Sequence, residues 1–207
     1  MDARHGDSAR LYSPSAGRNK AAIAECLGRL LPQGGRVLEI GSGTGEHAVA
    51  ICSQRPDLIW QPSDPDTRSR ESQDDWAKDL NGRMKSSLAL DTRDDNWTAI
   101  AGSIDAIVCC NVIHIAPWSA AEGLARGAET MLRPGAPLIL YGPYLEAGNS
   151  APSNLDFDRS LRARNAEWGV RELEDVKALM TAHGFEFKAR IDMPANNLLL
   201  VFERRAS

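Results

Sequence analysis

Apolar positions along the chain switch repeatedly between helical and strand periods. In residues 18–31, Ile23, Leu27, Leu30 and Leu31 share one helical face, and Pro32, Gly34 and Gly35 end the run. Residues 36–40 are a short apolar strand, and 47–53 continue as a largely buried helix. A second strand is expected at 58–61. A surface helix reaching Asn81 then turns Trp76 and Leu80 inward, and a third strand follows at 87–90. Residues 105–113 are apolar enough for a fourth strand covered on both faces. Ala121, Leu124, Ala125, Ala128, Met131 and Leu132 mark an amphipathic helix that Pro134 and Gly135 stop, and residues 137–141 form a fifth strand. Strands separated by helices imply right-handed crossovers and a parallel sheet between helical layers. The end of the chain differs. Leu173, Val176 and Met180 mark a last helix, and strands at 185–191 and 198–202, joined by a turn-rich stretch, read as antiparallel. Residues 142–170 are the one long connection without a clear period, and such connections are often functional, here as a substrate lid.

The length of 207 residues suits a single domain, 1–207, with an amino-terminal leader at 1–17 placed to close a site. No stretch is apolar for long enough to span a bilayer, and MDARHGDSARLYSP lacks the apolar run and cleavage site of a secretory signal. The four cysteines, Cys26, Cys52, Cys109 and Cys110, have no paired spacing and read as reduced core residues, so a cytoplasmic protein is expected. His5, His47, His114 and His183 are scattered with no HxxxH or CxxC, so no metal site is expected. A formal charge of −4 without a long basic run argues against a bulk grip on nucleic acid.

The chemistry concentrates in VLEIGSGTGEHAV. Gly41-Ser42-Gly43-Thr44-Gly45 follows the first strand, where glycines let the chain turn and let backbone N–H groups approach a ligand without a Cβ between. The helix beginning near Gly45 adds about 0.3–1 kcal/mol for a nearby anion. Dinucleotide binders place a third glycine of G-x-G-x-x-G where this chain has Glu46, which would set negative charge beside a pyrophosphate. An acid two positions before G-x-G-x-G, Glu39, instead suits a ligand bearing both a carboxylate and an ammonium. The methionine end of S-adenosyl-L-methionine has both.

WQPSDPD ends the second strand, where Asp64 can accept both ribose hydroxyls or simply open a turn before Pro65, with Asp66 as competitor. Asp91-Thr92 ends the third strand within reach of an adenine amino group, or caps a turn. The fourth strand runs into NVIHIAPW, where Asn111 and His114 face the transferred group. His114 is either a base or a packed, hydrogen-bonded residue. Tyr12, Arg18 and Asn19 precede the first good helix; Tyr12 or Arg18 can contact the methionine carboxylate, or all three belong to a solvated tail and helix start. Tyr141 and Tyr144 flank Gly142-Pro143 just after the fifth strand, where they either border the site or pack under a loop. Arg159, Arg162 and Arg164 with Trp168 either form a solvated face or favour an anionic group on a small acceptor, and Asn196-Asn197 can bind that group or shape a turn.

These residues resemble a class I S-adenosylmethionine-dependent methyltransferase, and more closely the uncharacterised family that includes methyltransferase-like protein 26. The resemblance covers nearly the whole chain and rests on RHGDSARLYSPSAGRNK, VLEIGSGTGEHAV, WQPSDPD, NVIHIAPW, LYGPY, LRARNAEWGVRELEDV and MPANNLLLVF. It implies an α/β Rossmann-like fold with a seven-stranded, mostly parallel sheet, a reversed last strand and helices on both faces. It also implies cofactor contacts at Glu39, Gly41, Gly43, Gly45, Asp64 and Asp91. Taken together, a methyltransferase acting on a small molecule through O, N or S is expected, as a monomer or homodimer, with no nucleic-acid or membrane partner. Cofactor-contact candidates are Arg18, Asn19, Glu39, Gly41, Ser42, Gly43, Gly45, Asp64, Asp91, Thr92 and Asn111; candidates beside the reacting group are His114, Tyr12, Tyr141 and Arg162. Two alternatives are a non-catalytic module that binds the same cofactor and, disfavoured by Glu46, a nicotinamide-dependent oxidoreductase.

Overall fold

The computed structural model describes residues 8–206; His5 and the Arg4–Asp7 part of the leader motif lie outside the described residues. Two compact units make up the chain, one running to Asp91 with Ala99–Ile107, the other Thr92–Thr98 with the chain from Val108 onward. Among the described residues six strands hydrogen-bond in the order β2 (Ile59–Pro62), β1 (Arg36–Ile40), β3 (Ala106–Cys110), β4 (Pro137–Pro143), β6 (Asn197–Arg204), β5 (Phe185–Met193).

In the first unit, α1 (Pro14–Leu30) begins with a proline at its first turn and Ser13 as cap, accepting from the Ala16 N–H, so the helix expected from residue 18 starts earlier, at Pro14. β1 (Arg36–Ile40) pairs in parallel with β2 (Ile59–Pro62), joined through α2 (Glu46–Gln54). Val37 and Leu38 of β1 and Ile23 and Leu27 of α1 are fully buried. After β2 come α3 (Thr67–Ala77) and a 3-10 turn at Lys78–Leu80.

The expected strand at 87–90 is absent as a continuous strand. The isolated parallel bridges Trp60↔Met84 and Ser63↔Leu88 hold residues 84–88 beside β2. Pro62 has no N–H to give, so the ladder breaks there, and the Gln61 side-chain amide reaches the Ser86 carbonyl instead, at 2.8 Å. In place of the expected third strand there are two single bridges.

β3 (Ala106–Cys110) is buried at every position and ends where Asn111 turns left-handed at φ 64°, so the apolar run to Ile113 closes in a 3-10 turn, Val112–His114. The short helix α4 (Thr98–Ala101) precedes β3. In the second unit, α5 (Trp118–Met131) and α7 (Leu173–Ala182) follow the anticipated periodicity, and β4 (Pro137–Pro143) extends two residues further than expected. β6 (Asn197–Arg204) lies antiparallel to both β4 and β5 (Phe185–Met193), the reversed strand anticipated from the final hairpin. Residues 142–170 are not a bare connection. They contain α6 (Pro152–Arg164), a 13-residue helix that buries only Asn154 and Leu161 and leaves Leu155 and Phe157 exposed, so no apolar stripe announces it. No described helix is long and apolar enough to cross a membrane.

Candidate functional site

In the first unit the glycine loop is held by side chains on every side. Gly41, Gly43 and Gly45 all have positive φ, of 64°, 53° and 86°, which only glycine adopts without strain. The Ser42 N–H donates to the Ser63 carbonyl at 2.8 Å, and the Gly43 and Thr44 carbonyls accept from Gln73 and Ser72 of α3. A Cβ at Gly45 would sit 3.2 Å from the Trp76 ring and 3.3 Å from the Gln73 backbone, so that glycine serves the approach of α3. A Cβ at Gly43 would meet nothing within 4 Å. Gly43 therefore answers a need other than internal packing.

Glu39 is 1% exposed on β1. Its Oε2 accepts from the Trp60 indole N–H at 2.9 Å, and burial, only partly offset by the Trp60 and Ser42 hydrogen bonds, pushes its pKa up to about 7. Its Oε1 faces His47 Nδ1 at 4.0 Å. His47 was not anticipated as a site residue. Burial holds its pKa down to about 4, so the ring is neutral, and its Nε2 is 2.9 Å from Asn19 Oδ1. Asn19 thereby reaches this carboxylate through His47, whereas Arg18 is exposed on α1. Only the periodicity of α2, which turns the residue after Glu46 toward β1, could have signalled His47.

Asp64 accepts the Gly43 N–H at 2.9 Å through Oδ2 and the Asp66 N–H at 3.0 Å through Oδ1. It combines the turn role with closure of the glycine loop, and each oxygen keeps a lone pair for a further donor. Burial raises its pKa, which those two N–H bonds oppose. The rival Asp66 caps α3, taking the Ser69 N–H at 2.8 Å and hydroxyl at 2.9 Å. Asp91 lies at the end of this unit and is partly buried.

Glu46, which spoke against a dinucleotide, has a positive role. Buried at 4% exposure, it accepts the Ser13 N–H at 2.7 Å, the Thr44 hydroxyl at 3.1 Å and Lys20 Nζ at 3.0 Å, tying leader, α1 and loop together. The leader itself lies along α3: the Leu11 N–H donates to Ser72, Arg10 stacks 4.3 Å over Trp76, and Tyr12 meets the same ring edge-on at 5.5 Å. Tyr12 remains 42% exposed.

In the second unit His114 is fully buried. Its Nδ1 accepts the Arg171 backbone N–H at 3.3 Å, so the ring hydrogen resides on Nε2, which has no partner among the described residues. Burial, reinforced by the Arg171 charge, lowers its pKa to about 3. The ring packs edge-on against Tyr144 at 5.1 Å, and the Tyr144 hydroxyl is also buried without a partner among the described residues. A Cβ on Gly142 would fall 2.5 Å from His114 Nε2 and 3.3 Å from Asn111 Oδ1, so a bare Gly142 is what lets both side chains approach. The Asn111 N–H donates to the Tyr141 carbonyl at 2.7 Å, and Tyr141 is buried on β4. The Thr92 hydroxyl is spent on the Ala120 carbonyl at 2.9 Å.

A cavity of about 510 Å³ in this unit is lined by Trp118, Arg162, Val170, Arg171, Glu172 and Asp175 among others. Arg162 is held by Asp158 at 2.8 Å. Arg171, another residue not anticipated, donates to the carbonyls of Ile113, Ala116 and Glu167 and stacks over Trp118. A second cavity of about 310 Å³ is bordered by Tyr144, Asn154, Asn196 and Asn197, where Asn196 holds a left-handed φ of 56°.

Known proteins agree with this architecture. The chain is 24% identical over 182 residues to the dual O-methyltransferase/FAD-dependent monooxygenase CTB3 of Cercospora beticola, covering 82% of this chain and 20% of that protein, so it spans about a fifth of that curated relative. An O-methyltransferase family protein from Burkholderia thailandensis superposes with a TM-score of 0.79 at 15% identity, over 93% of this chain and 57% of the other. Human N-acetylserotonin methyltransferase, solved in complex with SAM, gives 0.73 at 14% identity, over 92% and 52%. These likenesses establish an α/β Rossmann-like methyltransferase fold. The family described as "Protein of unknown function (DUF938)" matches residues 10–204, and the chain belongs to that family.

Proposed function

We propose that this protein transfers a methyl group from S-adenosylmethionine to an oxygen of a small molecule. The observation that carries the reading is the open face of Gly43 together with two buried acids, Glu39 on β1 and Asp64 just beyond the end of β2. Bound there, the cofactor supplies a methyl already activated on a sulfonium. The protein's task is to hold, align and keep dry. Glu39 accepts the ammonium, the loop N–H groups face the carboxylate, and Asp64 takes ribose hydroxyls on the lone pairs its two backbone bonds leave. The Cercospora beticola relative and the Burkholderia thailandensis structure are named as O-methyltransferases, which favours oxygen over nitrogen or sulfur. An anionic group on the acceptor is not required, because Arg162 is already paired with Asp158 and Arg171 with three carbonyls.

His114 donates rather than deprotonates on this reading. Its free nitrogen carries the hydrogen, and a neutral ring with a pKa near 3 binds a proton too weakly to act as a base at neutral pH. The pH dependence of kcat/KM is then expected to lack any inflection assignable to His114 between about pH 5 and 8, the range of an unperturbed histidine. An inflection in that range that vanishes in His114→Asn would restore the base.

Calorimetric titration tests the proposal itself. S-Adenosylhomocysteine is expected to bind saturably. Gly43→Ala is expected to lose that binding at least tenfold with little loss of stability, about 1 kcal/mol for the left-handed φ, because the added methyl meets only the ligand. No binding by the unaltered protein would end the methyltransferase reading.

A further inference from the structure

The Glu39–His47 pair sets two acceptors facing each other. Asn19 Oδ1 can only accept, so the 2.9 Å contact obliges His47 Nε2 to carry the ring hydrogen and leaves Nδ1 as a bare lone pair. That lone pair looks across 4.0 Å at Glu39 Oε1, a separation too long for a hydrogen bond between the two. Glu39 Oε2 is meanwhile occupied by Trp60. Two acceptors confronted in a buried place repel unless a donor lies between them.

The gap has the right size for one. An atom about 2.8 Å from each of two points 4.0 Å apart sees them roughly 90° apart. That angle is near the spacing of two N–H bonds on an ammonium, with a third left for other acceptors. Building on the methyltransferase reading above, we propose that His47 Nδ1 is the second acceptor for the α-ammonium of the cofactor's methionyl group, held in the accepting tautomer by Asn19. Glu39 supplies the opposite charge, and His47 supplies direction. Removing either the ring or the Asn19 carbonyl disables the arrangement, since an untethered ring can place its hydrogen on Nδ1 and turn a donor toward the ammonium.

The test compares two ligands by calorimetry: S-adenosylhomocysteine and its analogue with the α-amino group replaced by hydrogen. In the unaltered protein, losing the amine is expected to weaken binding about a hundredfold, and in His47→Phe about tenfold, since one of two charge-assisted bonds is already gone. Asn19→Ala is expected to reproduce the smaller penalty, and it serves where His47→Phe does not fold. A His47→Phe or Asn19→Ala protein that weakens both ligands by the same factor would overturn the assignment, because a residue that merely supports the fold cannot sense the amine. Failure of the unaltered protein to bind either ligand refutes the methyltransferase reading, a different result from equal weakening.

Discussion

Glu39→Gln is expected to make the unliganded protein more stable and its cofactor binding ten- to a hundredfold weaker, the loss of one charge-assisted partner. Burial lifts the Glu39 pKa from 4.5 to about 7. Below pH 4.5 the acid is protonated whether folded or unfolded, and the shift has no effect on stability. Between there and pH 7 the folded state retains a proton that the unfolded chain has released, so stability falls as pH rises. Above pH 7 the cost is complete, about 3 kcal/mol at about 1.36 kcal/mol for each pKa unit. Glutamine keeps an oxygen for the Trp60 indole, yet it carries no charge to desolvate. Its advantage should therefore be absent at pH 4, grow through pH 4.5–7 and level off beyond, reaching a Tm gain of roughly 6–12 °C for a chain of this size. Equal melting of the two proteins at pH 8 would show that Glu39 is not buried as a carboxylate. Unchanged affinity would show that it does not meet the ligand's charge. The pairing of these effects, a gain in stability with a loss of affinity, is what a binding acid predicts.

Gly123→Ala is expected to be among the most destabilising single-methyl changes in the second unit. An added Cβ would lie 1.9 Å from the Thr92 carbonyl oxygen and 2.7 Å from its carbon, both backbone atoms that no rotamer change can move. One turn on, a Cβ at Gly127 would lie 1.8 Å from the Trp97 ring, and the Trp97 indole donates to the Gly123 carbonyl at 3.2 Å. The two glycines thus form a bare track on α5 along which the Thr92–Trp97 segment lies. Overpacking there should cost about 3 kcal/mol or more, lowering Tm by about 10 °C. Gly17→Ala on α1 provides the contrast. Its Cβ meets nothing within 4 Å, and helix propensity alone should raise stability by about 0.5–1 kcal/mol. Thermal melts of the two variants settle the matter, and a Gly123→Ala protein that melts with the unaltered one would refute the close approach of Thr92.

Much of the fold was legible because burial writes itself as period. The fully buried β3 appears as an uninterrupted apolar run, α5 as a stripe at helical spacing, and the last hairpin as two apolar runs around a turn. Elements that bury little left no such trace. α6 covers the core with two residues and reads as loop, while the segment after Arg83 has the composition of a strand but meets a proline where its ladder needs a donor.

The candidate site divides along the same line. Glycines and acids in a strand–turn–helix context identified the loop, Glu39 and Asp64, because backbone freedom and carboxylate chemistry are properties of residue type and order. The duties of individual side chains are not. That Asp66 caps a helix, that Glu46 knits the leader to the loop, and that the Arg171 N–H occupies the His114 nitrogen a base would need are contacts between positions up to 57 residues apart. His47 shows the limit most sharply. The sequence alone determined that a histidine follows the glycine loop; only the tertiary structure, by bringing Asn19 to one ring nitrogen and Glu39 opposite the other, decided which nitrogen carries the hydrogen. A tautomer is set by its neighbours in space, and neighbours in space are what a linear order does not contain.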